Sequence, residues 1–87
     1  MRVQFSRQFK KQYKKAPRKI QTAIDRRLKL FIKDPDDPLL RNHSLRGRLK
    51  GFRSINITGD WRAVFREFEK ENLIFFDTFG THSQLYK

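Results

Sequence analysis

The 87 residues leave room for one hydrophobic core, so residues 1–87 read as a single domain. Cysteine is absent, which excludes a disulfide framework and a thiolate zinc site and fits a reducing cytoplasm. No window of about 18 apolar residues exists to span a membrane, and Met1 to Phe5 is too short and polar for a signal peptide. Twenty-one Lys and Arg against nine Asp and Glu give +12, and seventeen of the basic residues fall within 1–53. Such one-sided charge calls for a polyanionic partner, either nucleic acid or an acidic protein that covers the basic surface. The two histidines and scattered carboxylates form no metal-ligand cluster, so neither a metal nor another cofactor is expected.

In chain order, Met1 to Phe5 alternates with Val3 and Phe5 apolar, the period of a short strand. Ser6 is placed to cap a helix in which Phe5, Phe9 and Tyr13 form a narrow apolar stripe among lysines. Pro17, after Ala16, opens a second helix, with Ile20, Ala23, Ile24, Leu28, Phe31 and Ile32 as its stripe. The short connection makes the two an antiparallel hairpin. Asp34 to Pro38 stops the second helix. The block Arg41 to Gly51 is a basic loop anchored by Leu45 and Leu49. Three strands follow. The first runs from Phe52 to Ile57, and the second from Trp61 to Phe68 after the turn Thr58-Gly59-Asp60. The third runs from Leu73 to Thr78 and is apolar enough for a central position covered on both sides. Gly80 reads as a turn. The expected fold is α+β: an N-terminal strand and a two-helix hairpin packed on a twisted antiparallel sheet of about four strands.

Metal-independent RNA cleavage needs a base for the 2′-hydroxyl, an acid for the leaving 5′-oxygen and cations for the phosphorane. His43, Asp60 and His82 supply the first two residue types, and Arg46, Arg48, Lys50, Arg53 and Arg62 supply the third. On residue type alone each has a plainer reading: His43 as a solvated loop histidine, Asp60 as a turn former, His82 as a cap, Trp61 as a core anchor, Tyr86 as a staple. By composition and spacing the chain is a basic α+β nucleic-acid binder.

Three runs carry a sharper signal. They are His43-Ser44-Leu45-Arg46-Gly47-Arg48-Leu49-Lys50-Gly51-Phe52-Arg53, then Asn56-Ile57-Thr58-Gly59-Asp60-Trp61-Arg62-Ala63-Val64-Phe65-Arg66, then Gly80-Thr81-His82-Ser83-Gln84-Leu85-Tyr86. Together they resemble the RelE/ParE toxin superfamily, nearest its YafQ-like branch, over about half the chain. The resemblance implies the toxin of a type II toxin–antitoxin system, a ribosome-dependent mRNA endonuclease held inactive by a cognate antitoxin. Operator DNA would be contacted only through the antitoxin complex. His82 matches the family's C-terminal histidine, read as the general acid. His43 matches its loop histidine and Asp60 its active-site aspartate, either of which is the base. Arg46, Arg48, Lys50, Arg53, Trp61, Arg62 and Tyr86 form the RNA-binding set, with Tyr86 stacking on or orienting the mRNA. The chain departs from the pattern at Asn56, where the branch has a histidine. Two other classes fit the same residues less fully: a ParE-like gyrase inhibitor, and a basic RNA-binding module without catalysis.

Overall fold

The computed structural model describes residues 1–86. Strand β1 (Arg2–Phe5) leads into helices α1 (Arg7–Lys15) and α2 (Arg18–Lys33); then come β2 (His43–Ser44), β3 (Arg53–Thr58), β4 (Trp61–Phe68), β5 (Leu73–Thr81) and a short α3 (His82–Leu85). The five strands lie in the order β1-β5-β4-β3-β2. The α+β expectation holds, but the sheet is mixed: β1 pairs with β5 in parallel, while the other neighbours are antiparallel. A parallel neighbour needs a long crossover, and here everything between β1 and β5 provides it. The extra strand, β2, is two residues long, too short to carry a period.

The local chemistry explains the boundaries. Ser6 Oγ accepts the Phe9 amide at 2.9 Å and caps α1, and Pro17 stands at the N-cap of α2. The hairpin is held by Tyr13 Oη donating to Asp25 at 2.8 Å and by Gln21 Nε2 donating to the Tyr13 carbonyl at 2.7 Å. Both helices cover one sheet face. Phe9, Ile24 and Phe31 pack there on Ile55, Ile57, Phe65, Phe76 and Phe79, with Phe31, Phe65 and Phe76 ring centroids 5.1–5.4 Å apart. Ile32, placed on the buried stripe by its spacing, is 57% exposed, because its neighbour Phe31 takes the core-facing position and one helical step turns Ile32 away from the sheet. Among the described residues no helix is long and apolar enough to cross a membrane.

Strand β5 departs from its sequence reading in two ways. It is flanked by β1 and β4, yet only one face is fully covered: Ile74 and Phe76 are buried, while Leu73 and Phe75 are half-buried. It also passes straight through Gly80 to Thr81, pairing with Arg62 and Trp61 of β4. A register shift opposite Val64 and Phe65 leaves Asp77 unpaired. One inserted residue reverses the alternation, so Phe76 and Phe79 both face the core. Beyond the reach of β1, side chains of the first helical segment satisfy the free edge: Gln12 Oε1 accepts the Phe79 amide at 3.1 Å, and Gln12 Nε2 donates to Thr78 Oγ1 at 2.8 Å.

Candidate active site

The sheet face away from α1 and α2 carries the alternate set of side chains: Ser54 and Asn56 from β3, and Arg62, Val64 and Arg66 from β4. Register pairs Ser54 with Val64 and Asn56 with Arg62. The chain beyond β5 folds back over this face. Thr81 Oγ1 accepts the Gln84 amide at 3.3 Å and Gln84 Oε1 accepts the Thr81 amide at 2.8 Å, the two halves of a capping box. Gly80 lies directly beneath: a Cβ there would sit 2.8 Å from Gln84 Oε1 and 3.7 Å from a Leu85 methyl. Glycine is required for that close approach, not for a turn.

This return path brings the predicted acid to the predicted aspartate. The His82 amide donates to the Asp60 carbonyl at 2.9 Å, fixing the start of α3 against the β3–β4 turn. That turn is held from the other side by Arg62, whose Nη1 donates to the carbonyls of Gly59 at 2.8 Å and Trp61 at 3.0 Å. Gly59 supplies its positive φ of 52°. The His82 side chain is exposed, with its ring centroid 4.7 Å from that of Tyr86. Tyr86 in turn reaches the sheet, with its Oη 3.5 Å from Ser54 Oγ, a fully buried hydroxyl.

His43 enters through Ser54, its Cα partner across β2 and β3. Its Nδ1 lies 2.7 Å from the Arg41 carbonyl. A carbonyl only accepts, so Nδ1 carries the proton and, in the neutral ring, Nε2 keeps its lone pair. Arg41 adopts a left-handed backbone, φ 49° and ψ 45°, uncommon for a residue other than glycine; it turns the carbonyl toward His43. The links among His43, Asp60 and His82 therefore run through backbone and through Tyr86 and Ser54.

The basic residues divide. Arg46 and Arg48 line a hollow of about 480 Å³ together with Leu49, Gln84, Leu85 and Tyr86, and Lys50 is exposed on the same loop. Arg62 stands apart at the β3–β4 turn, and two members of the RNA-binding set lie on the opposite sheet face. Arg53 shares the side of Ile55 and Ile57, where its Nε donates to Asn42 at 2.9 Å and lies 3.5 Å from Glu67. Trp61 packs against the core, 6.1 Å from Phe79. Strand alternation alone assigns both to the helix side. Conversely, Arg41, Ser54 and Gln84 build the site without having been singled out. The sequence signal for Gln84 is Thr81-His82-Ser83-Gln84, the spacing of a capping box. A left-handed Arg41 has no comparable signal. Among the described residues no three His, Cys, Asp or Glu side chains converge as a metal site would require.

A profile of the family described as bacterial toxin of type II toxin-antitoxin system, YafQ, matches residues 1–87. Among solved structures, the chain resembles YafQ from E. coli strain BL21(DE3), with a TM-score of 0.82 at 24% identity over 100% of both chains. A chain of the E. coli DinJ-YafQ toxin-antitoxin complex gives 0.78 at 24% identity, over 98% of this chain and 96% of that one. The YoeB/ParE toxin from Agrobacterium tumefaciens gives 0.77 at 18% identity, over 94% and 99%. At these identities the structures speak for the fold. Comparison with curated proteins gave no match. The full-length profile match settles the kinship: the chain belongs to the YafQ family, toxins of bacterial type II toxin–antitoxin systems.

Proposed function

We propose that this toxin is a metal-independent endoribonuclease that cuts mRNA on the ribosome. The observation that carries the reading is the seam where the His82 amide meets the Asp60 carbonyl, with the Tyr86 ring tilted against that of His82 beside the hollow lined by Arg46 and Arg48. A base, His43 through Nε2 or the Asp60 carboxylate, takes the proton of the 2′-hydroxyl. O2′ then attacks phosphorus and forms the O2′–P bond of a cyclic phosphate. The P–O5′ bond breaks, and protonated His82 donates to the departing O5′. Arg46 and Arg48 hold the added charge on the phosphorane through charge-assisted hydrogen bonds, with Lys50 contributing at longer range. Tyr86 offers a face on which an unpaired base stacks. Arg62 acts here by bracing the turn that carries Asp60, and Arg53 and Trp61 serve the fold. The basic outer surfaces of α1 and α2 suit ribosomal RNA phosphates.

The antitoxin belongs to the same reading. The similar E. coli YafQ is held in a complex with DinJ. A chain of +12 suits a cognate antitoxin with an acidic segment, and through that complex alone the toxin would reach operator DNA. The setting is the bacterial cytoplasm.

Inducible expression with 5′-end mapping of mRNA, wild type beside His82→Ala, tests the proposal. Loss of one general acid lowers cleavage by about 10²–10⁴-fold and relieves growth arrest, while the melting temperature stays within about 2 °C because the side chain is exposed. A His82→Ala protein that arrests growth and cuts at wild-type strength removes His82 from the chemistry. Growth arrest with intact mRNA and poisoned gyrase moves the protein to a non-nucleolytic class.

A further inference from the structure

We infer that the open sheet face continues beyond the candidate active site into a second RNA contact, a stacking platform for a base flanking the cleaved phosphodiester, formed by Arg66 between Phe52 and Phe68. The Arg66 guanidinium carbon lies 5.2 Å from the ring centroid of Phe52 and 5.2 Å from that of Phe68. Arg66 is exposed and both rings are half-buried. A guanidinium held on aromatic faces keeps its planar fork in a fixed place while its charge stays solvated. Arg53 pairs with Glu67 on the other face, and among the described residues no carboxylate pairs with Arg66.

The position continues the candidate site. Arg66 follows Arg62 by four residues on the same face of β4, about 14 Å along the strand. Phe52 stands two residues before Ser54, about 7 Å from the seat of Tyr86, and directly follows the loop that carries Arg46, Arg48 and Lys50. The half-buried Phe75, Cα partner of Arg66, widens the apolar floor. Aromatic faces interleaved with cations along one groove are the chemistry that holds single-stranded nucleic acid without reading its sequence. A duplex would present its stacked interior to neither ring. The occupant is therefore unpaired RNA, entering or leaving the cleavage point.

The ligand class rests on the RNA-cleavage reading, so the test uses binding alone. Fully 2′-O-methylated single strands lack the nucleophile and cannot be cut. Affinity is measured for a strand of about three nucleotides, which spans the Tyr86 hollow, and for one of about eight, which reaches Arg66. Arg66→Ala should weaken the longer strand about tenfold, the loss of one stacked base, and leave the shorter within about twofold. Arg66→Lys, which keeps the charge but not the planar face, should also lose several-fold on the longer strand. Phe52→Leu, with the fold checked by circular dichroism, should follow Arg66→Ala. Equal losses on both lengths, or full rescue by lysine, would reduce Arg66 to general electrostatics and overturn the platform. So would unchanged RNA binding together with weakened binding of the purified antitoxin, which would give the face to the protein partner. If His82→Ala cuts normally while the length-dependent loss persists, the assigned acid is wrong and the platform stands.

Discussion

The two faces of one sheet have opposite characters, and the same strands build both. On the helix-covered side β3, β4 and β5 contribute Ile55, Ile57, Phe65, Ile74 and Phe76, all buried in one cluster. On the other side the intervening positions hold Ser54, Asn56, Arg62 and Arg66, and Tyr86 of the returning chain reaches Ser54 there. Period-two alternation thus separates the helix-covered core from the candidate site one residue at a time. The contrast teaches that a cation's position along the sequence says less about its role than its parity. Arg53 and Arg62 are both strand arginines near the site, yet one faces Glu67 across the core side and the other braces the turn at Asp60.

The largest effect expected comes from the covered face. Phe76 is fully buried and within 5.9 Å of the rings of Phe5, Phe9, Phe31 and Phe65. Phe76→Ala should cost about 3–5 kcal/mol, a large share of the ~5–15 kcal/mol of a typical domain. Urea denaturation should show it as a lower midpoint with an unchanged slope, and activity should vanish only as the protein unfolds. His82→Ala is the mirror case, with activity lost and the midpoint kept. If both variants lost stability equally, the division between the faces would be wrong.

The covered face was the more legible of the two. Ser6, Pro17 and the apolar stripes located the helices because caps and periodicity are local signals, and the strands from Phe52 onward fell within a few residues of their observed limits. The parallel seat of β1 was not legible, since it is fixed by pairing with a strand at the far end of the chain. On the open face the three motif runs marked His43, Asp60 and His82, but their juxtaposition depends on non-local contacts. Gly80 looked like a turn because glycine so often is one. In the fold it is a strand residue kept small by Gln84 above it. Trp61 and Arg53 lie close to the motif residues in sequence, but strand alternation turns both toward the helix side.

A smaller effect should follow from loosening only the returning segment. In Gly80→Ala the new methyl meets Gln84 Oε1 at 2.8 Å. That atom ends a flexible side chain, so the amide swings away and the Thr81 amide loses its acceptor. The cost is that of a broken cap, about 0.5–2 kcal/mol, confined to α3. Hydrogen exchange should therefore quicken at the amides of Gln84 and Tyr86 while β4 and β5 keep their protection. Cleavage should fall several-fold, because His82 is positioned by that segment. Unchanged cleavage with quickened exchange would show that α3 need not be ordered before RNA binds.

The smallest effect probes the helix layer by pH. Tyr13 has its pKa raised above the ordinary tyrosine value, first by its hydrogen bond to the Asp25 carboxylate, then by burial and by the negative charge of Asp25, with Arg18 opposing. The protonated phenol is thus favoured in the folded state. Its contribution is complete below the unfolded value of about 10 and disappears as pH climbs through the higher folded value. Tyr13→Phe should lower the melting temperature at neutral pH by about 2 °C or less, and the gap from wild type should close in alkaline solution. Absorbance titration should lose the tyrosine that ionises above the ordinary value. Cleavage at neutral pH should not change, because Tyr13 joins α1 to α2 on the covered side of the sheet. A Tyr13→Phe protein that folds normally but cuts poorly would mean that the helix hairpin shapes the open face across the sheet.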